Sequence, residues 1–396
     1  MPHARSRHII NQIKKKIRFA RVVTIQGARQ TGKSFLAREI LTRFFQDSVY
    51  VTLDSKVQKT FAEDNPESFL EKNKEKGPLM IDEAQKAPSL FDAVKLCVDE
   101  NSAPGQFILL GSTEFSREVK IRESLTGRIS RVRVYPFTVA EANNLPLNPA
   151  RSSSILNPKP RVSRKDLLKY LERGGLPGIF FVYDQNERDA LMNDWISVTC
   201  QRDLLQFQGI KPDIELAEGI LRTIPTLEEP DVASLARRLG KSSHLILKNL
   251  KLLEQLFVVQ SLRPHPLGTG KTRYFLCDAG LVHLMRGDYR QQLATWLLVE
   301  QVSQRNCRGE FLTQFYYYRG TRGGIIDLVV EHRDHSLTAY KVIDKESLDL
   351  RNLEILISFG MKCDQAKIAH ELIALGPFKE TCFVKGIRLA PLESVV

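Results

Sequence analysis

The sequence lacks long apolar runs, signal-peptide features and paired cysteines. Runs such as Phe107–Leu110 (FILL) are far shorter than the roughly 20 apolar residues of a membrane-spanning helix, which argues against a transmembrane segment. The basic N-terminal stretch, residues 1–20, has neither the apolar core nor the small-residue cleavage site of a signal peptide. The six cysteines are far apart and form no CxxC pair: Cys97, Cys200, Cys277, Cys307, Cys363 and Cys382. This spacing argues against a zinc site and a disulfide framework, and it suits the reducing cytoplasm.

Acidic residues are too few to balance the basic ones, and no low-complexity tract is present. The chain has 58 Lys and Arg against 46 Asp and Glu, which gives a formal net charge of +12. Such an excess favours a polyanionic partner through attraction to phosphates, although a merely soluble basic protein has the same composition. With 396 residues the chain is too long for one ordinary core, so we expect about two to four domains.

A phosphate-binding motif begins shortly after the N-terminus. Residues 27–34 match the pattern GxxxxGK[ST] in full. The predicted nucleotide-binding residues are Gly27, Ala28, Arg29, Gln30, Thr31, Gly32, Lys33 and Ser34. The glycines let backbone N–H groups point at the phosphates, while Lys33 is expected to bridge the β- and γ-phosphates and Ser34 to ligate Mg²⁺. The strand-like run Val22–Ile25 and the helix-forming run Phe35–Phe45 flank the motif as it requires.

A second, acidic motif supplies the expected partner of this loop. The apolar run Leu79–Ile81 leads into Asp82 and Glu83. At the end of a buried strand, Asp82 is expected to hold Mg²⁺, and Glu83 is expected to polarise the water that attacks the γ-phosphate. Because a second carboxylate distinguishes a hydrolase from a simple nucleotide holder, the motif predicts an ATPase.

Two further apolar runs extend the predicted sheet. Val49–Leu53 lies between the two motifs, and Phe107–Leu110 comes shortly before Ser112 and Thr113. The two hydroxyl groups either sense the γ-phosphate from a neighbouring strand or cap a helix. Alternating strands and helices predict a parallel sheet with helices on both faces and the ligand at its carboxyl edge.

Arg128 lies in the stretch SLTGRISRVRVYPFTVAEA, which begins at Ser124. It is predicted either to stabilise phosphate charge as a catalytic arginine, in its own subunit or in a neighbour, or to be a solvated or carboxylate-paired side chain.

These segments together resemble a known family. GARQTGKS, IDEAQ, LLGST, and SLTGR followed by VYPFTVAE look like the prokaryotic AAA-type ATPases that carry a C-terminal domain of unknown function. GGLPG from Gly174 and YFLCDAGL from Tyr274 extend the resemblance over most of the chain. It implies ATP and Mg²⁺ as cofactors. The resemblance also implies the sheet of the additional-strand, catalytic-glutamate division of P-loop proteins. In that sheet the strand of the third motif, LLGST, lies between the strands of the first two, GARQTGKS and IDEAQ.

Beyond residue 142 the composition changes. Residues 143–164 are rich in Pro, Ser and Asn and are predicted to form a linker. Helical patterns from Lys165 and from Glu187 predict a helical lid, in which Gly174 and Gly175 mark a helix end.

Residues 214–284 are predicted to form three helices and a β-hairpin, which is the plan of a winged helix. Its third helix exposes Ser243, His244, Lys248 and Lys251 with Glu254 opposing them, and its hairpin adds Arg263, His265, Lys271 and Arg273. These side chains suit phosphate contacts better than base reading. DNA binding and protein docking therefore stay open as alternatives.

The last third resembles the restriction-endonuclease-like fold, which implies a metal site made of an Asp and a Glu-x-Lys motif. Asp327 and Lys341 match that pattern, but Ala339 stands at the Glu position. Glu300 and Glu331 are the candidates for a substitute carboxylate. Since one Asp is a poor Mg²⁺ site, we expect no nuclease activity.

The sequence thus predicts an α/β protein in four parts. A P-loop NTPase parallel sheet with helices on both faces (residues 1–145) precedes a helical lid (165–213), a winged helix-turn-helix (214–284) and a degenerate, mixed α/β endonuclease-like domain (285–396). The predicted function is Mg²⁺-dependent ATP hydrolysis that drives a conformational switch on a DNA or protein partner, with oligomers allowed and no membrane partner. The alternative is a regulator that holds nucleotide with little hydrolysis. A helicase is disfavoured because no further helicase motif follows residues 81–85.

Overall fold

The computed structural model describes residues 5–115, 127–148, 159–207, 212–344 and 351–396. The chain divides into two compact units. The first unit comprises residues 7–136 and 255–258, and the second comprises residues 137–254 and 259–396 together with the residues up to Ser6. Residues 124–126 of the SLTGR motif and residues 149–158 of the predicted linker lie outside the described residues.

A five-stranded parallel sheet forms the core of the first unit. Its strands are β1 (Val22–Gln26), β2 (Val49–Thr52), β3 (Leu79–Asp82), β4 (Phe107–Gly111) and β5 (Ile129–Arg133). The strand order is β2-β3-β4-β1-β5, so β4 lies between β1 and β3, the place that the family resemblance implied. β1, β3 and β4 are buried along their whole length, because continuous apolar runs suit a sheet that is covered on both faces.

Helices connect the strands of the first unit. They are α1 (Ile10–Lys16), α2 (Lys33–Phe35), α3 (Thr42–Phe44), α4 (Lys56–Asp64), α5 (Pro66–Lys72) and α6 (Leu90–Glu100). The π-helical stretch Leu36–Leu41 joins α2 to α3, and the 3₁₀ turn Ala84–Lys86 follows β3. Phe69 and Phe91 belong to the same apolar core as Ile81 of β3 and Leu109 of β4. Burying each such side chain contributes about 1.5–3 kcal/mol, which fixes α5 and α6 against the sheet.

Most of the helices that the structure describes lie in the second unit. They are α7 (Val139–Ala142), α8 (Arg164–Arg173), α9 (Pro177–Phe180), α10 (Gln185–Val198), α11 (Ile214–Thr223), α12 (Val232–Leu239), α13 (Ser243–Gln255, its last residue in the first unit), α14 (Ala279–Leu284), α15 (Tyr289–Arg308) and α16 (Arg351–Gln365). Shorter turns complete the set: the π-helical Thr199–Asp203 and the 3₁₀ turns Leu204–Gln206, Ile224–Thr226 and Leu392–Val395. Side chains that accept a backbone N–H begin several of these helices, among them Thr138, Ser163, Asp184, Asp213, Asp231, Asp278 and Asp288.

An eight-stranded mixed sheet also belongs to the second unit. Its strands are β6 (Val259–Pro264), β7 (Arg273–Leu276), β8 (Gln314–Arg319), β9 (Ile325–Glu331), β10 (Leu337–Val342), β11 (His370–Gly376), β12 (Cys382–Val384) and β13 (Ile387–Pro391). The order is β12-β13-β11-β10-β9-β8-β6-β7. β6 pairs with β7 as an antiparallel hairpin and with β8 in parallel. The segments predicted as a winged helix and as an endonuclease-like domain therefore share one sheet.

The motifs GGLPG and YFLCDAGL meet inside the second unit. The Asp278 carboxylate accepts hydrogen bonds from Gly175 N at 2.6 Å and from Gly280 N at 2.8 Å. A Cβ on Gly280 would come within 2.6 Å of Gly174 N, so the backbones approach too closely for any larger residue. Burial raises the pKa of Asp278 to about 6. This contact accounts for both motifs as packing elements.

None of the described helices is both long and apolar enough to cross a bilayer.

Candidate nucleotide-binding site

The phosphate loop leaves β1 at the carboxyl edge of the parallel sheet. Gly27 follows β1 directly, and a Cβ at that position would come within 2.1 Å of Val134 O. Gly32 has φ +88°, a left-handed conformation that favours glycine, and it ends the loop where α2 begins. Gln30, with φ +60°, is also left-handed. Left-handed residues in a loop of this kind are typical of the turns in which successive N–H groups form an anion-binding concavity.

Lys33 and Thr31 are buried within this loop. The Lys33 ammonium donates to Gly27 O at 2.8 Å and to Ala28 O at 2.9 Å. Thr31 Oγ1 donates to Ala28 O at 2.9 Å. Lys33 is 5% exposed, so its charge faces the loop rather than bulk water. This is where a cation must lie to meet phosphate oxygens.

Arg7 supports the loop from outside the motif. Its guanidinium donates to Thr31 O at 2.7 Å and to Tyr135 O at 2.7 Å, and the side chain is buried. In the sequence Arg7 is only one member of a basic N-terminal stretch. A charged donor to a loop carbonyl has no motif of its own, so only the fold identifies it.

Asp82 ends β3 beside the phosphate loop. Its Oδ1 accepts from Glu83 N at 3.1 Å, and its Oδ2 accepts from the Tyr50 hydroxyl at 2.7 Å. The Ser34 side chain lies near the same phenol. Burial and the bond to Asp82 raise the pKa of Tyr50.

These oxygen donors fit Mg²⁺. A carboxylate and a hydroxyl are the hard ligands that this ion prefers, with phosphates and water completing an octahedron. Among the described residues, no group of three or more His, Cys, Asp and Glu side chains is placed to hold a metal. Ser34 and Asp82 therefore suit an ion that arrives with a nucleotide rather than one caged by protein ligands.

Glu83 takes a left-handed conformation, with φ +55°, at the end of β3. Its Oε2 accepts from Gln85 Nε2 at 2.5 Å and lies 3.5 Å from Ser112 Oγ. Burial raises the pKa of Glu83, and the nearby Lys33 ammonium partly offsets that rise. A non-glycine residue held in this conformation costs about 1–3 kcal/mol, and such strain is concentrated at functional sites. Glu83 is thus a fixed carboxylate near the Lys33 charge.

Ser112 and Thr113 lie at the end of β4, next to β1. Both are buried, and the Thr113 carbonyl accepts from Gln26 Nε2 at 2.7 Å. Ser112 Oγ lies 3.4 Å from Gln85 Nε2. Of the residues around the two carboxylates, the sequence motifs assigned no role to Tyr50 or Gln85. Gln85 is the last residue of IDEAQ and so had a motif to mark it, whereas Tyr50 is distinguished only by its place on β2.

The structure does not bring Arg128 to the phosphate loop. Arg128 precedes β5, whose first residue pairs with Val22 at the amino end of β1, whereas the loop follows the carboxyl end about 16 Å along the strand. Its guanidinium donates to both oxygens of Asp99, at 2.5 and 2.8 Å. A catalytic role in its own chain is therefore corrected to the carboxylate-paired alternative.

Asp327, the predicted remnant of a nuclease site, lies on β9 next to cations. Its Oδ1 is 3.5 Å from Arg290 Nη2, and its Oδ2 accepts from Val342 N at 2.8 Å. Lys341 donates to Ile325 O at 2.9 Å, and burial lowers the pKa of Lys341.

Both candidate substitute carboxylates have other partners. Glu300 accepts from Val139 N at 3.0 Å and from Gln304 at 2.8 Å. Glu331 bonds His335 at 2.9 Å. A site made of Asp327 and arginine and lysine side chains does not fit a divalent metal ion.

Comparisons with known proteins agree with the geometry of the first unit. Residues 20–143 match the family model of an AAA domain, and residues 164–292 match a domain of unknown function (DUF8612). The first match covers the phosphate loop, both acidic residues and all five parallel strands. Residues 20–143 are thus similar to an AAA domain and contain the phosphate-loop motif.

Similar proteins occur in bacteria and archaea. The chain is 26% identical over 348 residues to uncharacterized proteins of Mycobacterium tuberculosis and Mycobacterium bovis, which covers 81% of this chain and 70% of theirs. It is 22% identical over 229 residues to an uncharacterized protein of Methanocaldococcus jannaschii, covering 55% of this chain and 50% of that one.

Two solved structures are similar at low identity. The Walker-type ATPase PABY2304 of Pyrococcus abyssi is 15% identical with a TM-score of 0.41, covering 70% of this chain and 94% of that one. The Orc1 protein of Aeropyrum pernix, solved in complex with DNA, is 12% identical with a TM-score of 0.29, covering 75% of this chain and 91% of that one.

Proposed function

We propose that this protein binds ATP with Mg²⁺ at residues 27–34 and hydrolyses it to switch a macromolecular partner. The observation that carries the proposal is the position of Glu83. Gln85 and Ser112 hold its carboxylate at the same edge of the sheet as Lys33 and Asp82. A protein that only holds nucleotide has no need of a fixed and strained carboxylate there.

Each side chain has a distinct role in this mechanism. The loop N–H groups and Lys33 bind the phosphates, and Ser34 and Asp82 are the residues that would hold Mg²⁺. The ion, when bound, neutralises charge on the β- and γ-phosphate oxygens. Glu83 orients the attacking water and accepts its proton, for which a raised pKa is suited. The buried Thr113 hydroxyl, at the tip of the neighbouring strand, is assigned to the γ-phosphate.

Replacing Glu83 by Gln tests the hydrolase. We expect ATP turnover to fall at least 100-fold while MgATP still binds, because only the proton acceptor is lost. The matched control is Glu67→Gln, since Glu67 is exposed on α5 and lies outside the site. If wild-type turnover is negligible and Glu83→Gln changes nothing, the chain is the alternative, a nucleotide-holding regulator.

The partner that the exposed surface favours is DNA. Exposed cations cluster on α12, on α13 and in the turn between them: Arg237, Arg238, Lys241, Lys248 and Lys251, with His244 beside them. Of the four basic residues predicted on the hairpin, Arg263 and Lys271 are exposed, but His265 and Arg273 are buried. Arg273 instead donates to Glu228 O. A helix-turn-helix with so many cations suits sequence-independent phosphate contacts.

A salt series tests the DNA proposal. We expect binding to duplex DNA to weaken steeply with salt, and Lys248→Glu with Lys251→Glu to weaken it at least tenfold at low salt. The control is Lys165→Glu with Lys169→Glu, two exposed lysines on α8 that change the net charge equally. Equal losses in both double variants, or binding that ignores salt, would favour a protein partner.

A route for the switch begins beside Thr113. Glu114 N donates to Gln255 O at 3.0 Å, and the Arg133 guanidinium lies over the Phe257 ring at 4.9 Å. Gln255 is the last residue of α13, and residues 255–258 belong to the first unit. A shift of the β4 tip on binding the γ-phosphate is therefore expected to reach α13 through these contacts. DNA affinity that is the same with MgADP and with ATP trapped on the Glu83→Gln variant would contradict this coupling.

A further inference from the structure

Tyr50 bonds Asp82, one of the two residues predicted to hold Mg²⁺. β2 and β3 run in parallel with Tyr50 opposite Met80 and Thr52 opposite Asp82. This register brings the half-buried Tyr50 side chain to the acidic end of β3, where its hydroxyl donates to Asp82 Oδ2 at 2.7 Å. Ser34, the other predicted Mg²⁺ ligand, lies near the same phenol.

The phenol completes the orientation of Asp82. One carboxylate oxygen already accepts from Glu83 N, so with Tyr50 each oxygen has a fixed donor. A carboxylate that is held by a donor on each oxygen keeps a fixed orientation toward a metal ion.

We propose that Tyr50 is a positioning residue that orients Asp82 toward a nucleotide-bound divalent cation. This inference rests on the proposed function. Tyr50 acts through Asp82, so it sets the contribution of the metal to nucleotide affinity. Loss of such outer partners typically weakens metal affinity about 10–100-fold.

The test compares ADP affinity with Mg²⁺ and with EDTA by calorimetry on the full chain. The Kd in EDTA divided by the Kd with Mg²⁺ isolates the contribution of the metal to ADP affinity. In Tyr50→Phe we expect this ratio to fall at least fivefold, while the Kd in EDTA changes by less than twofold. A merely structural role would weaken both measurements alike. Tyr183→Phe is the control, because Tyr183 is exposed and remote in sequence from the site.

A second variant distinguishes a specific effect on the Kd ratio from misfolding. Asp82→Asn should lower the same ratio, and adding Tyr50→Phe to Asp82→Asn should lower it little further, because Tyr50 acts through its hydrogen bond to Asp82. A wild-type ratio near one would overturn the proposed use of Mg²⁺ and this inference with it. A large wild-type ratio that Tyr50→Phe leaves unchanged would overturn this inference alone.

Discussion

Two buried aspartates, one in each unit, have opposite surroundings. Asp82 is 2% exposed and receives hydrogen bonds from a phenol and a backbone amide, with Glu83 adjacent. Asp327 is 6% exposed and lies beside Arg290, with the Lys341 charge nearby. Neutral donors orient a carboxylate and leave its charge available to a cation, whereas a guanidinium neutralises it. The same residue type is therefore suited to a metal in the first unit and to an internal ion pair in the second.

The largest expected effect concerns Lys33, the residue proposed to bind the phosphates. Lys33→Ala should weaken ATP binding at least 100-fold, because a buried ammonium in the loop is replaced by a methyl group and no other cation of the motif lies as deep. Equilibrium binding of a fluorescent ATP analogue measures the loss. The control is Lys56→Ala, which removes an exposed lysine at the start of α4. Equal affinity in the two variants would contradict the assignment of the loop.

Paired substitutions test the comparison directly. Asp82→Asn should reduce Mg²⁺-dependent ATP turnover about 100-fold, since the amide is a poorer ligand for a hard cation. Asp327→Asn should leave turnover within about twofold, because Asp327 lies in the second unit and its contacts are to Arg290, Val342 and Lys341 rather than to residues of the phosphate loop. Steady-state ATP turnover of both variants at saturating MgATP tests these two expectations. If Asp327→Asn stopped turnover, the two units would be coupled through a site that we regard as structural.

The two motifs could be recognised from the sequence because each is a short local pattern. The loop of residues 27–34 and the pair Asp82 and Glu83 lie together, and β4 lies between their strands. Arg7, Tyr50 and Gln85 are different, because their roles come from where neighbouring strands place them. Tyr50 reaches Asp82 only through the β2–β3 register, which no local pattern encodes.

Surface and metal-site predictions depended on side-chain direction, which a sequence does not specify. The hairpin residues His265 and Arg273 were expected to be exposed cations, yet β6 and β7 bury them because the hairpin continues into a larger sheet. Glu300 was a candidate substitute ligand, yet it projects from α15 toward Val139 N. In both cases, contacts between elements that are distant in sequence determined the environment of the side chain.

The role of Glu300 can be tested through pH. Burial raises its pKa from 4.5 to about 7, with Glu141 as a nearby like charge. Between pH 4.5 and 7 the folded chain therefore keeps a proton on Glu300 that the unfolded chain loses. The contribution of Glu300 to the free energy of unfolding falls by about 3 kcal/mol over this range and then levels off. The Glu300→Gln variant cannot titrate at this position, and its stability relative to wild type should rise with pH over that window.

Denaturant unfolding at about pH 5 and about pH 8 measures this difference. The amide introduced by Glu300→Gln cannot accept both hydrogen bonds that the Glu300 carboxyl group accepts, but that cost is independent of pH, and the change between the two pH values remains diagnostic. Glu187→Gln on α10 serves as an exposed control. Parallel pH profiles for wild type and Glu300→Gln would mean that Glu300 is not protonated in the fold.

Substitution of Arg128 is expected to have the smallest effect on ATP turnover, as for a residue outside the nucleotide site. Its partner Asp99 lies on α6, at the amino edge of the sheet, and both side chains of the pair are partly exposed. A surface pair of this kind adds little to stability, because water screens it and holding the two side chains in place costs entropy. Arg128→Ala should therefore leave ATP turnover within about twofold in dilute protein. Turnover that depends on protein concentration in wild type but not in Arg128→Ala would instead show that this arginine acts on the nucleotide of a neighbouring copy.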